Sequence, residues 1–428
     1  MTGERPRTLA LVSLGCAKNA VDLQVRAGNL LKEGCVLSSD PDRADTVIVN
    51  TCSFIESARA EAESEIIRAL ELKRRGQYGR VVVTGCYPQR YPKLKDAFPG
   101  VDEWIGVPQE WVEPKMPALR LTGKAFAYLK IAEGCAHRCA YCAIPSIRGK
   151  YRSRPLKSIL REAKALVASG CRELNVVAQD PMLWREKGTG NGERGTGKTL
   201  PDLLWAIDRI KGDFWVRVLY SYPSEITEEF LIWMLTSKHA VRYMDVPIQH
   251  TVPAVLEKMN RKRAIEPSRA AAEVLREVVP GITLRTTIMT GFPGETEARF
   301  RELMADLKRM QFDHLGAFAY SPEEGTRGAE MRGRPRRAVA EERERLVMDQ
   351  QERIWKLKAK RMIGQEFVAL VVAPGVARME SQAPDVDGVV YLRERGTGNG
   401  EQGWDLVGEF VKVRLVKVKG FDFMGVVV

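Results

Sequence analysis

At 428 residues, 44% of them hydrophobic, the chain has material for about two or three domains with real cores, and no run of apolar residues approaches the roughly 18 that a membrane span needs. The opening MTGERPRT has no apolar signal segment, and eight cysteines in so large a chain argue for metal binding or catalysis over a disulfide framework, so a cytoplasmic, reducing compartment is expected. The formal net charge of +12 points to an acidic or nucleic-acid-rich partner, although no basic tail carries it.

Residues 1–120 show three short β-rich runs, TLALVSLG, DTVIVNT and RVVVTG, separated by helical stretches over 19–32 and 54–75. This alternation predicts an α/β unit with a parallel sheet. Each run leads directly into a cysteine: Cys16, Cys52 and Cys86. Ligands of open parallel sheets bind beyond the carboxyl ends of the strands, so the three thiols should converge on a metal-cluster site. Any one of them alone would read as an inert buried residue; the triple coincidence carries the metal reading. Cys35 follows a helix and Cys171 precedes a strand, so both read as structural.

Residues 121–363 carry six strand candidates, AFAYLKIA, RELNVVAQ, FWVRVLY, RYMDVPI, ITLRTTIM and FDHLGAFAY, with helical stretches between them. Six repeats predict a partial (β/α)6 barrel, whose chemistry belongs at the carboxyl ends of its strands. After the first strand comes KIAEGCAHRCAYCAIPSIRGKYRSR, with Cys135, Cys139 and Cys142 in a Cys-x3-Cys-x2-Cys array. The spacing alone also fits one face of a buried helix, but Gly134 and Pro145 punctuate the segment and its other residues supply no apolar stripe. A loop remains, holding either zinc, with His137 as fourth ligand, or a four-iron cluster with one iron left open. Gln179, Asp180, Gln249, His250 and Gly291–Glu295 stand at other strand ends and either line the same mouth or serve as loop and packing residues.

Gly192–Thr199, GERGTGKT, matches a phosphate-binding loop in letters. It lacks the adjoining strand that such a loop requires and reads as a glycine-rich insert; its neighbourhood GTGNGE recurs at 396–401. A charged stretch, Arg332–Arg361, reads as a polar helix with eleven Lys or Arg against five Asp or Glu, one that could also face RNA. Residues 364–428 then alternate in short runs, EFVALVV, GVVYL and EFVKVRLVKV, predicting a small all-β barrel. Residues 365–428 hold seven Lys or Arg against nine Asp or Glu, an acidic balance unsuited to clamping phosphates.

The Cys135 array with Tyr141 before its last cysteine resembles the signature of the radical S-adenosylmethionine enzymes. LVSLGCAKNAVD, VNTCSFIESA and VVTGCYPQRY resemble the amino-terminal domain of the methylthiotransferases, and the terminal barrel resembles their TRAM module. The resemblance implies one 4Fe–4S cluster on Cys135, Cys139 and Cys142 that binds and cleaves S-adenosylmethionine, and an auxiliary 4Fe–4S cluster on Cys16, Cys52 and Cys86 that holds the sulfur to be inserted. SLGCAKNAVD, DVPIQH, LRTTIMTGFPGETE and YSPEEGT are similar to the branch that modifies an aspartate of small ribosomal subunit protein 12 at its β-carbon, using two molecules of S-adenosylmethionine. AQDPMLWREKG departs from that branch after Asp180, which loosens any inference about substrate positioning there. The implied partners are that ribosomal protein, a flavodoxin-like electron donor and a ribosomal RNA contact, with no membrane. A tRNA adenosine methylthiotransferase of the same architecture and a zinc-stabilised RNA-binding protein stand as the alternatives.

Overall fold

The computed structural model describes residues 6–114, 119–186, 197–393 and 406–428. Both GTGNGE copies and the glycines of the phosphate-loop lookalike before Gly197 lie outside the described residues. Lys198–Thr199 pairs antiparallel with Arg185–Glu186, and the Thr199 hydroxyl is engaged with Asp202 in a capping box for the following helix. That hydroxyl is occupied in capping, as the insert reading requires.

The amino-terminal sheet contains β1 (Thr8–Ser13), β2 (Ala44–Thr51), β3 (Tyr78–Gly85) and β4 (Glu103–Ile105), with a two-residue edge at Val36–Leu37 beside β1. All pair in parallel. The strands are valine-rich because the sheet is covered on both faces. Val47, Val49, Val81 and Val83 pack on α2 (Glu56–Arg74), while Ile48 and Val82 pack toward α1 (Ala17–Lys32). The chain turns outward in opposite directions from β1 and β2, which makes the gap between their carboxyl ends the topological switch point of a doubly wound sheet.

The central unit holds six strands: β5 (Phe126–Lys130), β6 (Glu173–Val177), β7 (Trp215–Val218), β8 (Tyr243–Asp245), β9 (Thr283–Thr290) and β10 (His314–Ala319). They run parallel in chain order as two three-stranded halves, joined by the Val216–Ala240 bridge and the 2.8 Å Ser221 N–H to Asp245 carbonyl bond. The expected six-repeat partial barrel is what forms. Its helices bury apolar residues at helical spacing, for example Leu156, Ile159, Ala163 and Leu166 of Leu156–Ala168.

The other strand face looks into the lumen, where it meets the two flanking units. Val21 of α1 and Leu370, Ala383 and Phe410 of the C-terminal barrel share one core with Phe126, Tyr128, Val177, Trp215, Leu219 and Tyr243. The charged helix is Arg337–Met362; its polar composition hides a buried seam of Ala340, Val347, Ile354, Trp355 and Ala359. The C-terminal unit is a closed five-stranded barrel, as expected, with Val376–Met379 and Asp422–Val427 completing the three runs legible in the sequence. No described helix is long and apolar enough to cross a membrane.

Candidate active site

Cys16, Cys52 and Cys86 stand just beyond the carboxyl ends of β1, β2 and β3. Gly15, at φ +87°, brings its backbone so close that a Cβ there would lie 2.8 Å from Cys52 Cβ and 3.2 Å from its Sγ. Only glycine allows that approach. Asn19 stitches the loops together: its side-chain amide donates to the Leu14 carbonyl (2.8 Å) and the Thr51 carbonyl (3.1 Å). The Ser53 hydroxyl donates to the Cys86 carbonyl at 3.0 Å. Cys16 is the exposed member of the trio, Cys52 is intermediate and Cys86 is buried.

The three thiols sense one another electrostatically. Burial pushes Cys86 up to about 12, with the charges of Cys16 and Cys52 adding to the rise and Arg148 opposing it. Burial raises Cys52 as well. Cys16, exposed as a residue but with its sulfur crowded by protein atoms, shifts down instead: the crowding acts upward on it, but Lys18, Arg148 and the amides of Asn19 and Lys18 at the start of α1 outweigh that.

The second triad occupies the loop after β5. Gly134, at φ +74°, sits where a Cβ would come within 2.3 Å of the Lys150 carbonyl oxygen, so the loop folds back on 149–150. The Ala140 N–H donates to the Met259 carbonyl (2.9 Å) and the Gly328 N–H to the Ala140 carbonyl (2.7 Å). Burial pushes Cys135 up to about 11 and Cys142 up to about 12, with the charge of Cys139 adding in each case. Arg261 Nη1 lies 3.8 Å from Cys139 Sγ, and its guanidinium stacks over Tyr222, 4.2 Å from the ring centroid.

Four charged side chains bind the two triads into one assembly. Arg148, 1% exposed, ends the short helix that begins two residues after Cys142. Its Nη1 donates to Asp22 of α1 (2.9 Å) and to Glu133 (2.9 and 3.0 Å); its Nη2 donates to Asn19 Oδ1 (3.2 Å) and to Cys86 Sγ (3.3 Å). Lys130 bonds both Asp22 and Glu133. Burial alone would raise the Glu133 carboxyl, but Lys130 and Arg148 bring it down to about 2. A second clasp closes the open side, where buried Glu323 accepts from Arg59 and, at 2.9 Å, from Arg90, which also donates to the Ser53 carbonyl at 2.7 Å.

The expected mouth residues divide by role. Gln179 donates to Glu133 at 3.1 Å. Asp180 binds His137 at 2.6 Å, and the His137 ring stacks on Tyr222 at 3.7 Å, so the ring is held by these two partners. Gln249, at φ +69°, keeps a buried side-chain oxygen, Oε1, without a hydrogen-bond partner among the described residues. His250 is fully buried, accepting from the Val252 N–H at 3.0 Å with Nε2 3.3 Å from Glu295; Glu295 in turn ties down the Gly291 N–H at 2.9 Å and Arg343 at 2.7 Å. These contacts hold His250 in a buried network with Glu295 and Arg343. Sequence reading missed Arg148, Arg261, Asp22, Lys130 and Tyr222. Arg148 and Lys130 stood inside the cysteine motif, but nothing in their spacing announces a partner in another unit.

Do these residues fit iron–sulfur groups and S-adenosylmethionine? Among the described residues, no group of three or more His, Cys, Asp or Glu could hold a single metal ion, whose sulfur ligands must stand about 2.3 Å from one point. A coordinating metal deprotonates thiols that burial keeps neutral. Around the mouth, Gln179 Oε1, Ser221 Oγ, Gln249 Oε1 and Thr251 Oγ1 are buried without hydrogen-bond partners among the described residues, capacity that a polar cofactor would use.

Comparison with known proteins decides the family. Residues 129–307 match the model of the radical SAM superfamily, 8–106 match uncharacterized protein family UPF0004, and 363–428 match the TRAM domain. The ribosomal protein uS12 methylthiotransferase RimO of Moorella thermoacetica is 39% identical, with 97% of this chain and 98% of that protein covered. Those of Syntrophus aciditrophicus and Desulfitobacterium hafniense are 37% and 36% identical over 99% of both chains. The chain belongs to the RimO-type methylthiotransferases. Its enzyme class is therefore radical SAM methylthiotransferase, which entails a 4Fe–4S cluster and S-adenosylmethionine. Among solved structures, the radical S-adenosylmethionine methyltransferase TsrM of Kitasatospora setae aligns with a TM-score of 0.52 at 18% identity, covering 76% of this chain and 75% of that one, a likeness of fold alone. For a RimO-type chain, the Cys135 loop at the mouth of a six-stranded partial barrel is where the radical SAM model falls.

Proposed function

We propose that this chain transfers a methylthio group to the β-carbon of an aspartate in small ribosomal subunit protein uS12. In this reading Cys135, Cys139 and Cys142 hold one 4Fe–4S cluster, Cys16, Cys52 and Cys86 hold a second, and two molecules of S-adenosylmethionine are used. Bound there, the clusters and S-adenosylmethionine would supply the radical that takes hydrogen from an unactivated carbon and the sulfur that replaces it, chemistry beyond amino-acid side chains.

The single observation that carries the proposal is Arg148, which departs from the Cys142 segment and ends at Cys86 Sγ, 3.3 Å away. A reaction that needs both sulfur-ligand sets on one substrate carbon requires them to be held in fixed relation, and a buried, hydrogen-bonded ion network does that. On the barrel side, Tyr222 carries His137 and Arg261 beside the Cys139 loop, which fixes that loop against β7 and β8. The core shared by α1, the strands and the C-terminal barrel fills part of the lumen with apolar side chains.

The acidic C-terminal barrel supports a protein substrate over RNA, and a small flavodoxin-like protein is the electron donor of the class this reading expects. A cytoplasmic location follows from a ribosomal substrate. The test is mass spectrometry of uS12 from cells with and without the enzyme, together with metal analysis of anaerobically purified protein. A methylthio mass on one aspartate and about eight irons per chain are expected. Modification of tRNA adenosine in place of uS12 would overturn the substrate, and stoichiometric zinc without iron would overturn the chemistry.

A further inference from the structure

Lys18 lies two residues after Cys16, in the first turn of α1, and is 9% exposed. The other buried cations are accounted for. Lys130 and Arg148 bind Asp22 and Glu133, Arg154 binds Glu162, Arg217 and Arg378 share Glu173, Arg343 binds Glu295, and Arg261 donates to the Pro247 carbonyl at 2.8 Å. The Lys18 side chain makes no hydrogen bond and no ion pair among the described residues. Its Nζ rests 3.3 Å from the centroid of the Tyr220 ring.

An ammonium group has three donors, and Lys18, a mostly buried residue, spends none of them on a hydrogen bond to the described residues. The face of an aromatic ring stands in only partly for such bonds. Tyr220 is held there at φ +70°, a region non-glycine residues seldom occupy, with its N–H on Asp245 Oδ2 at 3.3 Å. Asp245 faces this group from β8 but does not ion-pair with it; its other oxygen stands 4.0 Å from Arg285. Next to Tyr220, the Ser221 hydroxyl is buried and unpartnered. Around Lys18, then, are the exposed thiol of Cys16 on one side, an aromatic floor on the other, and unused hydrogen-bonding capacity at the end of β7. The missing element is an anion.

We propose that Lys18 receives the side-chain carboxylate of the substrate aspartate and thereby selects aspartate over its amide. This deepens the functional reading above and rests on it. A carboxylate docked on this ammonium would present the adjacent carbon to the Cys16 side of the lumen, where the proposed sulfur-bearing triad lies. The neutral amide offers no charge to pair with the ammonium, which is how a polar site rejects an analogue.

The experiment uses full-length, iron-loaded protein with uS12 and with uS12 whose target aspartate is replaced by asparagine. Wild type, K18M and K18R are compared for iron content, affinity for S-adenosylmethionine and affinity for each uS12 form. In K18M, affinity for uS12 should fall about ten- to hundredfold, to the level that wild type shows for the asparagine form, with iron content and S-adenosylmethionine affinity held. K18R should keep most of the preference for aspartate. Undiminished preference in K18M overturns the proposal. So does loss of iron from K18M and K18R alike, which would assign Lys18 to the thiolates or to folding. A fall in S-adenosylmethionine affinity with uS12 affinity intact also overturns it, assigning the carboxylate to the cofactor. Wild-type enzyme that leaves uS12 unmodified overturns the functional reading and this proposal together; wild type that modifies uS12 beside an unaffected K18M overturns this proposal alone.

Discussion

Replacing Arg148 with methionine keeps the length of the side chain and deletes a buried cation. Its guanidinium donates to Asp22, Glu133, Asn19 and Cys86 at 2.9 to 3.3 Å, and the residue is 1% exposed. The variant leaves two buried carboxylates facing one remaining cation, Lys130. Removing one member of a buried ion pair costs about 3–5 kcal/mol, and since Lys130 still serves both acids, the lower end, about 3 kcal/mol, is expected. At about 1.4 kcal/mol per factor of ten, amides of α1 and of Cys86–Arg90 should exchange with solvent deuterium roughly 100-fold faster wherever opening of this interface limits their exchange. Adding E133Q to R148M removes the uncompensated charge and should recover at least about 1 kcal/mol, a nonadditivity that a double-mutant cycle reads directly. Exchange within about threefold of wild type in R148M would refute the claim that this network ties the two cysteine triads together.

Two further outcomes follow from the same geometry. Cys139→Ala should abolish cleavage of S-adenosylmethionine, whereas Cys52→Ala should leave cleavage measurable and abolish sulfur insertion. The buried Cys35 and Cys171, replaced by alanine, should leave iron content unchanged, and equal loss of cleavage in C139A and C52A would show that the division of labour is wrong. Burial pushes the Asp245 carboxyl up to about 6 while Arg285 acts against the rise, so between about pH 4 and 6 the folded chain keeps a proton that the unfolded chain has lost. Stability from this group therefore falls as pH rises through that window, by up to about 3 kcal/mol. Denaturation of wild type and D245N across pH 4 to 7 should give curves that diverge toward neutral pH, and parallel curves would count against the shift.

Much of this protein is legible along the chain because its signals are local. Valine-rich runs separated by helical stretches spell a parallel sheet, six such repeats spell the partial barrel, and cysteines at strand ends or at spacings of four and three mark where chemistry gathers. The strands that reading passed over, Val36–Leu37, Glu103–Ile105, Val376–Met379 and Asp422–Val427, are short or at edges, where two to six residues carry too little periodicity to stand out. The charged helix misled in a similar way: its composition is polar throughout, yet the side that meets β9 and β10 is buried.

What the amino-acid order determines by itself is the set of elements and the thiols at their ends, since those depend on residues a few positions apart. Which charges meet is a different matter. Lys130 finds Asp22 across 108 positions, Arg148 finds Cys86 across 62, and Lys18 comes to rest on the Tyr220 ring with no ion pair among the described residues. Those outcomes are decided only when the three units close on one another, because expulsion of water is what makes a paired charge strong and an unpaired one costly.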